Sequence, residues 1–301
     1  MDYKAALQQF FGPRCLLSEP MSAHTTYRTG GPAEVLVCPQ TVSEWQFVFK
    51  LAREQQIPLR VLGCGSNILV SGQGIDGMTC STRKMNQICV EGTRLTAQAG
   101  AALDSACARA CQAGLAGMEK LSGIPGSVGG AVYMNAGAYG QETADCLASF
   151  DVLDLEGNLH TFTKKEVQFS YRKAEGLPGG VVLSATFVLQ PGKAEELLQA
   201  RRTVQQSRVE KQPLEFPSAG SVFKRPAGDY ASRLIDVAGL RGLTVGGAKV
   251  SEKHAGFIIN FNHATPEEIK ALMDQVRTRV HEQFGVLLEL EQILWGPFQG
   301  E

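Results

Sequence analysis

Glycine placement is the feature that most narrows what this chain can fold into. Six glycines fall within the eighteen residues Gly123–Gly140, in Gly123-Ile124-Pro125-Gly126-Ser127-Val128-Gly129-Gly130-Ala131 and Met134-Asn135-Ala136-Gly137-Ala138-Tyr139-Gly140. A shorter cluster, Gly63-Cys64-Gly65-Ser66-Asn67, follows the apolar stretch Leu59–Leu62 and runs into Ile68-Leu69-Val70. An ordered glycine loses more conformational freedom than any other residue, so glycines bracketing apolar positions need a compensating role, such as close approach of backbone to a ligand. With 33 glycines the chain is well above average usage, and clustering rather than low complexity accounts for the excess.

Two nucleotide-binding signatures are excluded. The first cluster lacks the third glycine of a dinucleotide fingerprint and is followed by a strand-like run, whereas that fingerprint needs a helix N-terminus for its pyrophosphate. No lysine completes a Walker loop after Gly130, and in Gly242–Lys249 Ala248 stands where that lysine belongs. The short loop is explained equally by a tight turn and by an anion nest of consecutive backbone N–H groups. Together, two such loops suit a long cofactor carrying a pyrophosphate.

Periodicity supplies the framework. Val35–Pro39 reads as a strand, Thr41–Gln56 as a helix with Trp45, Val48, Leu51 and Ala52 on one face, and Leu59–Leu62 as a buried strand, making a βαβ unit. From Met78 to about Leu189 short β segments dominate, with one helix at Ala102–Ala113 stopped by Gly114, and a hairpin around Glu156-Gly157-Asn158. Glu195–Lys211 is a polar helix linking domains, and Asp229–Ala238 a helix stopped by Gly239. Ala255–Phe261 reads as a strand. The longest helix starts at the capping box Thr265/Glu268, buries Ile269, Leu272, Met273, Val276 and Val280, and ends at Gly285. Val286–Trp295 forms a final strand, its alternation placing Val286, Leu288 and Leu290 on one face and Glu289 and Glu291 on the other.

Net charge of -1 and a pI near 6.5 give no electrostatic case for nucleic acid or an anionic membrane surface. Eight scattered cysteines form no CxxC pair; Cys107 and Cys111, four apart in an Ala-rich helix, read as packing, and no metal site is expected. The start of the chain lacks the apolar core of a signal peptide and no run is long enough to span a membrane, so the reading is a cytoplasmic protein with reduced thiols. Oligomeric state is open, with a monomer as one option.

Three further segments carry side chains with chemical potential. In Phe169-Ser170-Tyr171-Arg172 the arginine can clamp a carboxylate or phosphate, although on its own the segment reads as a surface arginine stacked on Tyr171. In Pro217-Ser218-Ala219-Gly220-Ser221-Val222-Phe223-Lys224 the hydroxyl of Ser221 follows a flexible glycine and can be aimed into a cleft. Glu289 and Glu291 interrupt an apolar strand, which alone reads as a solvated face.

In order and spacing these segments, with Tyr27-Arg28-Thr29-Gly30-Gly31 and Gly246–Phe257, resemble the UDP-N-acetylenolpyruvoylglucosamine reductases from about Ser22 to Gly296. The resemblance implies an α+β architecture: a vanillyl-alcohol-oxidase-like (PCMH-type) FAD-binding region of two α+β subdomains, residues 1–75 joined by the C-terminal strand 286–301 and residues 76–195, plus a C-terminal α+β substrate-binding domain at 205–285. It implies the shorter subtype, without the tyrosine-bearing lid. It also implies non-covalent FAD, NADPH as hydride donor, and a UDP-sugar as small-molecule substrate. By motif match Arg172, Ser221 and Glu291 are the implied catalytic residues. FAD would lie against Arg28, Gly63, Cys64, Gly65, Ser66, Asn67, Gly123, Ile124, Pro125, Gly126, Ser127, Gly129, Gly130, Ala131, Asn135, Ala136 and Gly137, and Tyr171, Lys211 and Lys224 would hold substrate. Arg225, the stretch Lys173-Ala174-Glu175-Gly176 and Gln292 depart from the family pattern. Two alternatives are another FAD-linked oxidoreductase of the same fold and a non-catalytic sugar-nucleotide-binding protein. The lack of histidine between His24 and His160 argues against a histidine-tethered flavin at either glycine loop.

Overall fold

The computed structural model describes residues 2–298, so Met1 and the last three positions of the expected 286–301 segment lie outside the described residues. The chain divides into two compact units. Unit 1 comprises Met1–Leu17, Val35–Cys64 and Gly77–Ser207, and unit 2 comprises Ser18–Glu34, Gly65–Asp76 and Arg208–Glu301.

Among its described residues unit 1 holds five α-helices: α1 (Tyr3–Phe11), α2 (Val42–Glu54), α3 (Leu103–Gln112), α4 (Val128–Tyr133) and most of α5 (Ala194–Lys211). Thr41 caps α2 by accepting the Glu44 N–H, and Trp45, Val48, Phe49, Leu51 and Ala52 form its buried face. The parallel strands Leu59–Leu62 and Ile75–Ser81 pair in register Leu59 to Met78. Because Ile75–Ser81 lies between Pro32–Val37 and Leu59–Leu62 in the sheet, the expected βαβ crossover skips over a neighbour. A five-stranded antiparallel sheet runs Leu159–Thr163, Leu147–Asp154, Gly180–Val188, Arg94–Gln98, Ile88–Glu91. The predicted hairpin is its first pair, and α3 ends within a residue of the predicted bound, with Gly114 at φ +70°. The β-rich reading missed α4: two glycines near its start and only six residues leave no helical periodicity to detect. Cys107 is fully buried in the apolar core of this unit, and Cys111, on the same helix, is fully buried as well.

Unit 2 packs α6 (Ala231–Val237) and α7 (Pro266–Phe284) against the three-stranded antiparallel sheet Thr244–Val245, Ala248–Val250, Ile258–Asn260. The capping box at Thr265 and Glu268 is present, Gly285 adopts φ +68°, and the five predicted core positions of α7 are all buried. The last strand is shorter than predicted. Only Ile293–Trp295 is regular, paired in parallel with Ile68–Val70, while Val286–Gln292 keeps the alternation without continuous ladder bonds. Leu288 is fully buried and Leu287 is 61% exposed, so the two faces are as read.

Candidate functional site

In unit 1 the two glycine clusters meet. A Cβ added to Gly63 would lie 2.4 Å from Ser127 Oγ, a separation real side chains do not reach. Ser127 caps α4 through the Gly130 N–H, so its hydroxyl is fixed where Gly63 must stay bare. Gly129 is pressed onto Ala99, where a Cβ would sit 2.8 Å from the alanine methyl, and its N–H donates to the Ala99 carbonyl. Gly123 donates to Asp104 Oδ1 at 2.7 Å, and Asp104 in turn accepts from Arg201. Burial pushes the Cys64 thiol up, with Arg83 opposing, so that thiol is protonated at neutral pH. Glycines demanded by steric contact, in two loops that touch, leave backbone as the lining, and this fits an extended cofactor such as FAD.

Asn135 follows α4 with φ +41° and is fully buried. Its Nδ2 donates to Glu142 Oε2 at 2.7 Å and to the Ser170 carbonyl at 3.1 Å, and its Oδ1 accepts the Ala144 N–H. Ser170 pairs with Lys173 across the hairpin Gln168–Ser170/Lys173–Glu175, so Tyr171 and Arg172 are its two-residue turn. Arg172 adopts φ +60°, and its guanidinium carbon lies 5.0 Å from the Tyr171 ring centroid. The stack anticipated for an isolated surface arginine is therefore formed. The left-handed backbone at a non-glycine residue costs on the order of 1 kcal/mol and is held by the tied hairpin.

In unit 2 the end of the first glycine loop joins the C-terminal segment. Gly65, at φ +67°, leaves no room for a Cβ, which would fall 2.1 Å from the His24 carbonyl, and its own carbonyl accepts the Thr26 N–H. This packs the Thr25–Arg28 turn, with Arg28 at φ +54°, onto the loop. Asn67 Nδ2 donates to the Glu291 carbonyl at 3.1 Å, and the Ile293 N–H donates to the Asn67 carbonyl.

Ser221 and Glu291 come together here. The Glu291 N–H donates to the Val222 carbonyl at 2.8 Å, Phe223 bridges Leu290, and Ser221 bridges Phe257 on its other side. Both residues are half-buried. Lys224 also belongs to this ladder, with Nζ 3.2 Å from Glu289, whereas Lys211 is exposed at the end of α5. Of the other implied residues, Tyr171, Arg172 and the Gly123–Gly137 stretch belong to unit 1, and Arg28, Ser66 and Asn67 to unit 2.

One participant escaped the sequence reading. Gln292, noted only as a departure, is 3% exposed and bonds to both the Ser221 segment and Tyr27. A signal was available: period two puts Gln292 on the same inward face as Leu288, where a polar residue needs partners.

The fold and the glycine-lined loops define an FAD-dependent oxidoreductase, and residues 33–163 match the FAD binding domain family. Residues 212–295 match the C-terminal domain of UDP-N-acetylenolpyruvoylglucosamine reductase. The reductase of that name from Lachnoclostridium phytofermentans is 44% identical over 94% of this chain and 93% of its own length, and that from Pediococcus pentosaceus 46% identical over 91% of each. A crystal structure of UDP-N-acetylenolpyruvylglucosamine reductase from Thermus caldophilus superposes with a TM-score of 0.81, 36% identity, and coverage of 94% of this chain and 98% of that one. The chain belongs to the UDP-N-acetylenolpyruvoylglucosamine reductase family. The glucose dehydrogenase Phl p 4.0202 shares the fold at a TM-score of 0.52 and 19% identity, covering 64% of this chain and 44% of that one.

Proposed function

We propose that this chain reduces the enolpyruvyl ether of UDP-N-acetylglucosamine enolpyruvate to UDP-N-acetylmuramate, a step of peptidoglycan precursor synthesis, with NADPH as hydride donor. FAD, when bound, supplies the hydride chemistry that links nicotinamide to the carbon–carbon double bond. The residues that would hold it, without a covalent tether, are Arg28, the Gly63–Asn67 loop and the Gly123–Gly137 stretch including Asn135. Segments 1–75, joined by 286–301, and 76–195 serve the cofactor, and 205–285 serves the substrate.

Hydride addition at the β-carbon leaves negative charge on the carboxylate-conjugated α-carbon. Arg172 opposes that charge; a preorganised cation facing developing charge contributes on the order of several kcal/mol. Ser221 delivers the proton to the α-carbon, and Glu291 acts with Arg172 in steadying the enol. A free serine is a weak acid, so Ser221 depends on its placement and on its partners. Tyr171, Lys211 and Lys224 hold the diphosphate and carboxylate of the substrate. This reading includes a cytoplasmic location. Among the described residues no helix is long and apolar enough to cross a membrane.

The observation that carries this site reading is the 2.8 Å bond between the Glu291 N–H and the Val222 carbonyl, which brings the carboxyl-bearing residue beside the hydroxyl-bearing one. The test is anaerobic. NADPH should bleach the flavin of the purified protein, and UDP-N-acetylglucosamine enolpyruvate should restore the oxidised spectrum. Ser221→Ala should bleach normally and lose reoxidation by on the order of 100-fold or more, the usual worth of positioned proton transfer. Failure of the enolpyruvyl compound to reoxidise the wild-type protein would refute the substrate.

A further inference from the structure

Gln292 is a buried amide whose oxygen and nitrogen both have hydrogen-bond partners. Its Oε1 accepts from the Tyr27 hydroxyl at 3.0 Å, and its Nε2 donates to the Ala219 carbonyl at 3.0 Å and the Gly220 carbonyl at 3.4 Å. Carbonyls can only accept, so the amide orientation is fixed by its partners. Tyr27 is itself fully buried, and burial raises its phenol so that it remains a donor. The Tyr27 carbonyl accepts from Asn260 Nδ2 at 2.9 Å, and Asn260 Oδ1 accepts the Ala264 N–H, anchoring the chain of bonds at the start of α7.

The position of these bonds matters more than their number. Gly220 has φ +75° and open space where a Cβ would be, so it is the most conformationally permissive link next to Ser221. Gln292 ties the carbonyls of the two residues preceding Ser221, and the N–H of the adjacent Glu291 ties the carbonyl of the residue following it. Residues 291–292 thus grip the Ser221 segment from both ends.

We infer that Gln292 is a positioning residue that fixes the Ser221 hydroxyl for proton delivery, through its bonds to Ala219, Gly220 and Tyr27. This rests on the assignment of Ser221 as proton donor. Removing the grip frees Gly220, and displacement of a reacting group by about 1 Å costs on the order of 100-fold in rate.

The test is rapid-mixing kinetics of the two half-reactions on the flavin-loaded protein. Gln292→Met keeps the volume and removes both donors. It should slow reoxidation by the enolpyruvyl substrate by about 10- to 100-fold, leave bleaching by NADPH unaffected, and enlarge the solvent deuterium isotope effect on reoxidation as proton delivery becomes limiting. Tyr27→Phe, the milder change, keeps both carbonyl bonds and should produce the same pattern at reduced size. If Gln292 acts through Ser221, adding Gln292→Met to Ser221→Ala should bring no further loss. Equal loss in both half-reactions, normal reoxidation in Gln292→Met, or full additivity in the double variant would each overturn the positioning role. Should Gln292→Met fail to fold, normal reoxidation with an unchanged isotope effect in Tyr27→Phe would overturn it. Ser221→Ala run alongside separates the two ideas: normal reoxidation there removes the proton-donor assignment itself, whereas a crippled Ser221→Ala beside a normal Gln292→Met removes only the positioning.

Discussion

Asn135 in unit 1 and Gln292 in unit 2 place the same carboxamide group in two differently built surroundings. Asn135 is fully buried, sits in a left-handed backbone conformation, and has an acidic side chain, Glu142, among its three partners. Gln292 has only neutral partners, two carbonyls and a phenol. Each ties down the backbone close to a residue implied in catalysis: Asn135 holds the Ser170 carbonyl two positions before Arg172, and Gln292 holds the Gly220 carbonyl next to Ser221. The difference lies in how much depends on each. A hydrogen bond to a charged group contributes about 1.5–3 kcal/mol, a neutral one about 0.5–1.5 kcal/mol, and a buried polar atom left without a partner costs about 1–3 kcal/mol. Asn135 is therefore the heavier structural commitment, and Gln292 is light enough to serve placement without dominating stability.

That contrast can be broken at several points. Asn135→Leu strands the Glu142 carboxylate, the Ser170 carbonyl and the Ala144 N–H together, and should lower unfolding stability by about 3–5 kcal/mol. Urea denaturation midpoints measure it, and a loss equal to that of Gln292→Met would erase the distinction. Gln292→Met should cost about 2 kcal/mol by the same measurement, because the partners it strands, two carbonyls and a phenol, are neutral. Tyr27→Phe removes one neutral bond and should cost about 1 kcal/mol; a larger value would make the phenol, not the amide, the centre of the network.

The smallest effect belongs to a polar cluster at the Glu156-Gly157-Asn158 hairpin of unit 1. The Asp154 carboxyl is held at about 2 by its hydrogen bond from His160, aided by the Asn158 N–H and side-chain amide. A carboxyl whose folded value lies below its unfolded one adds stability above about pH 4, where the unfolded group is ionised, and loses it as pH falls toward 2. Asp154→Asn should therefore narrow the stability difference from wild type progressively below pH 4, as followed by thermal melts. A difference that grows on acidification would contradict the sign.

Much of the fold was legible because its signals are local. The Thr265/Glu268 box, Gly114, Gly239 and Gly285 after their helices, and the Glu156-Gly157-Asn158 turn act over a few residues, so residue type and spacing suffice. The glycine stretches announced close backbone approach before any partner was known, and the partners are Ser127 for Gly63 and the His24 carbonyl for Gly65. The short α4 and the truncated final strand were misread because each depends on what packs beside it more than on its own pattern.

The sequence by itself determined where the chain turns, which faces are apolar, and that two backbone-lined loops and a handful of polar residues interrupt an ordinary core. Tertiary structure alone decided who bonds to whom. Gln292 finds Tyr27 across 265 positions and Asn67 meets Glu291 across 224. The partners in such networks include main-chain carbonyls and N–H groups, which nearly every residue carries, so no residue type marks them in advance and only packing selects among them.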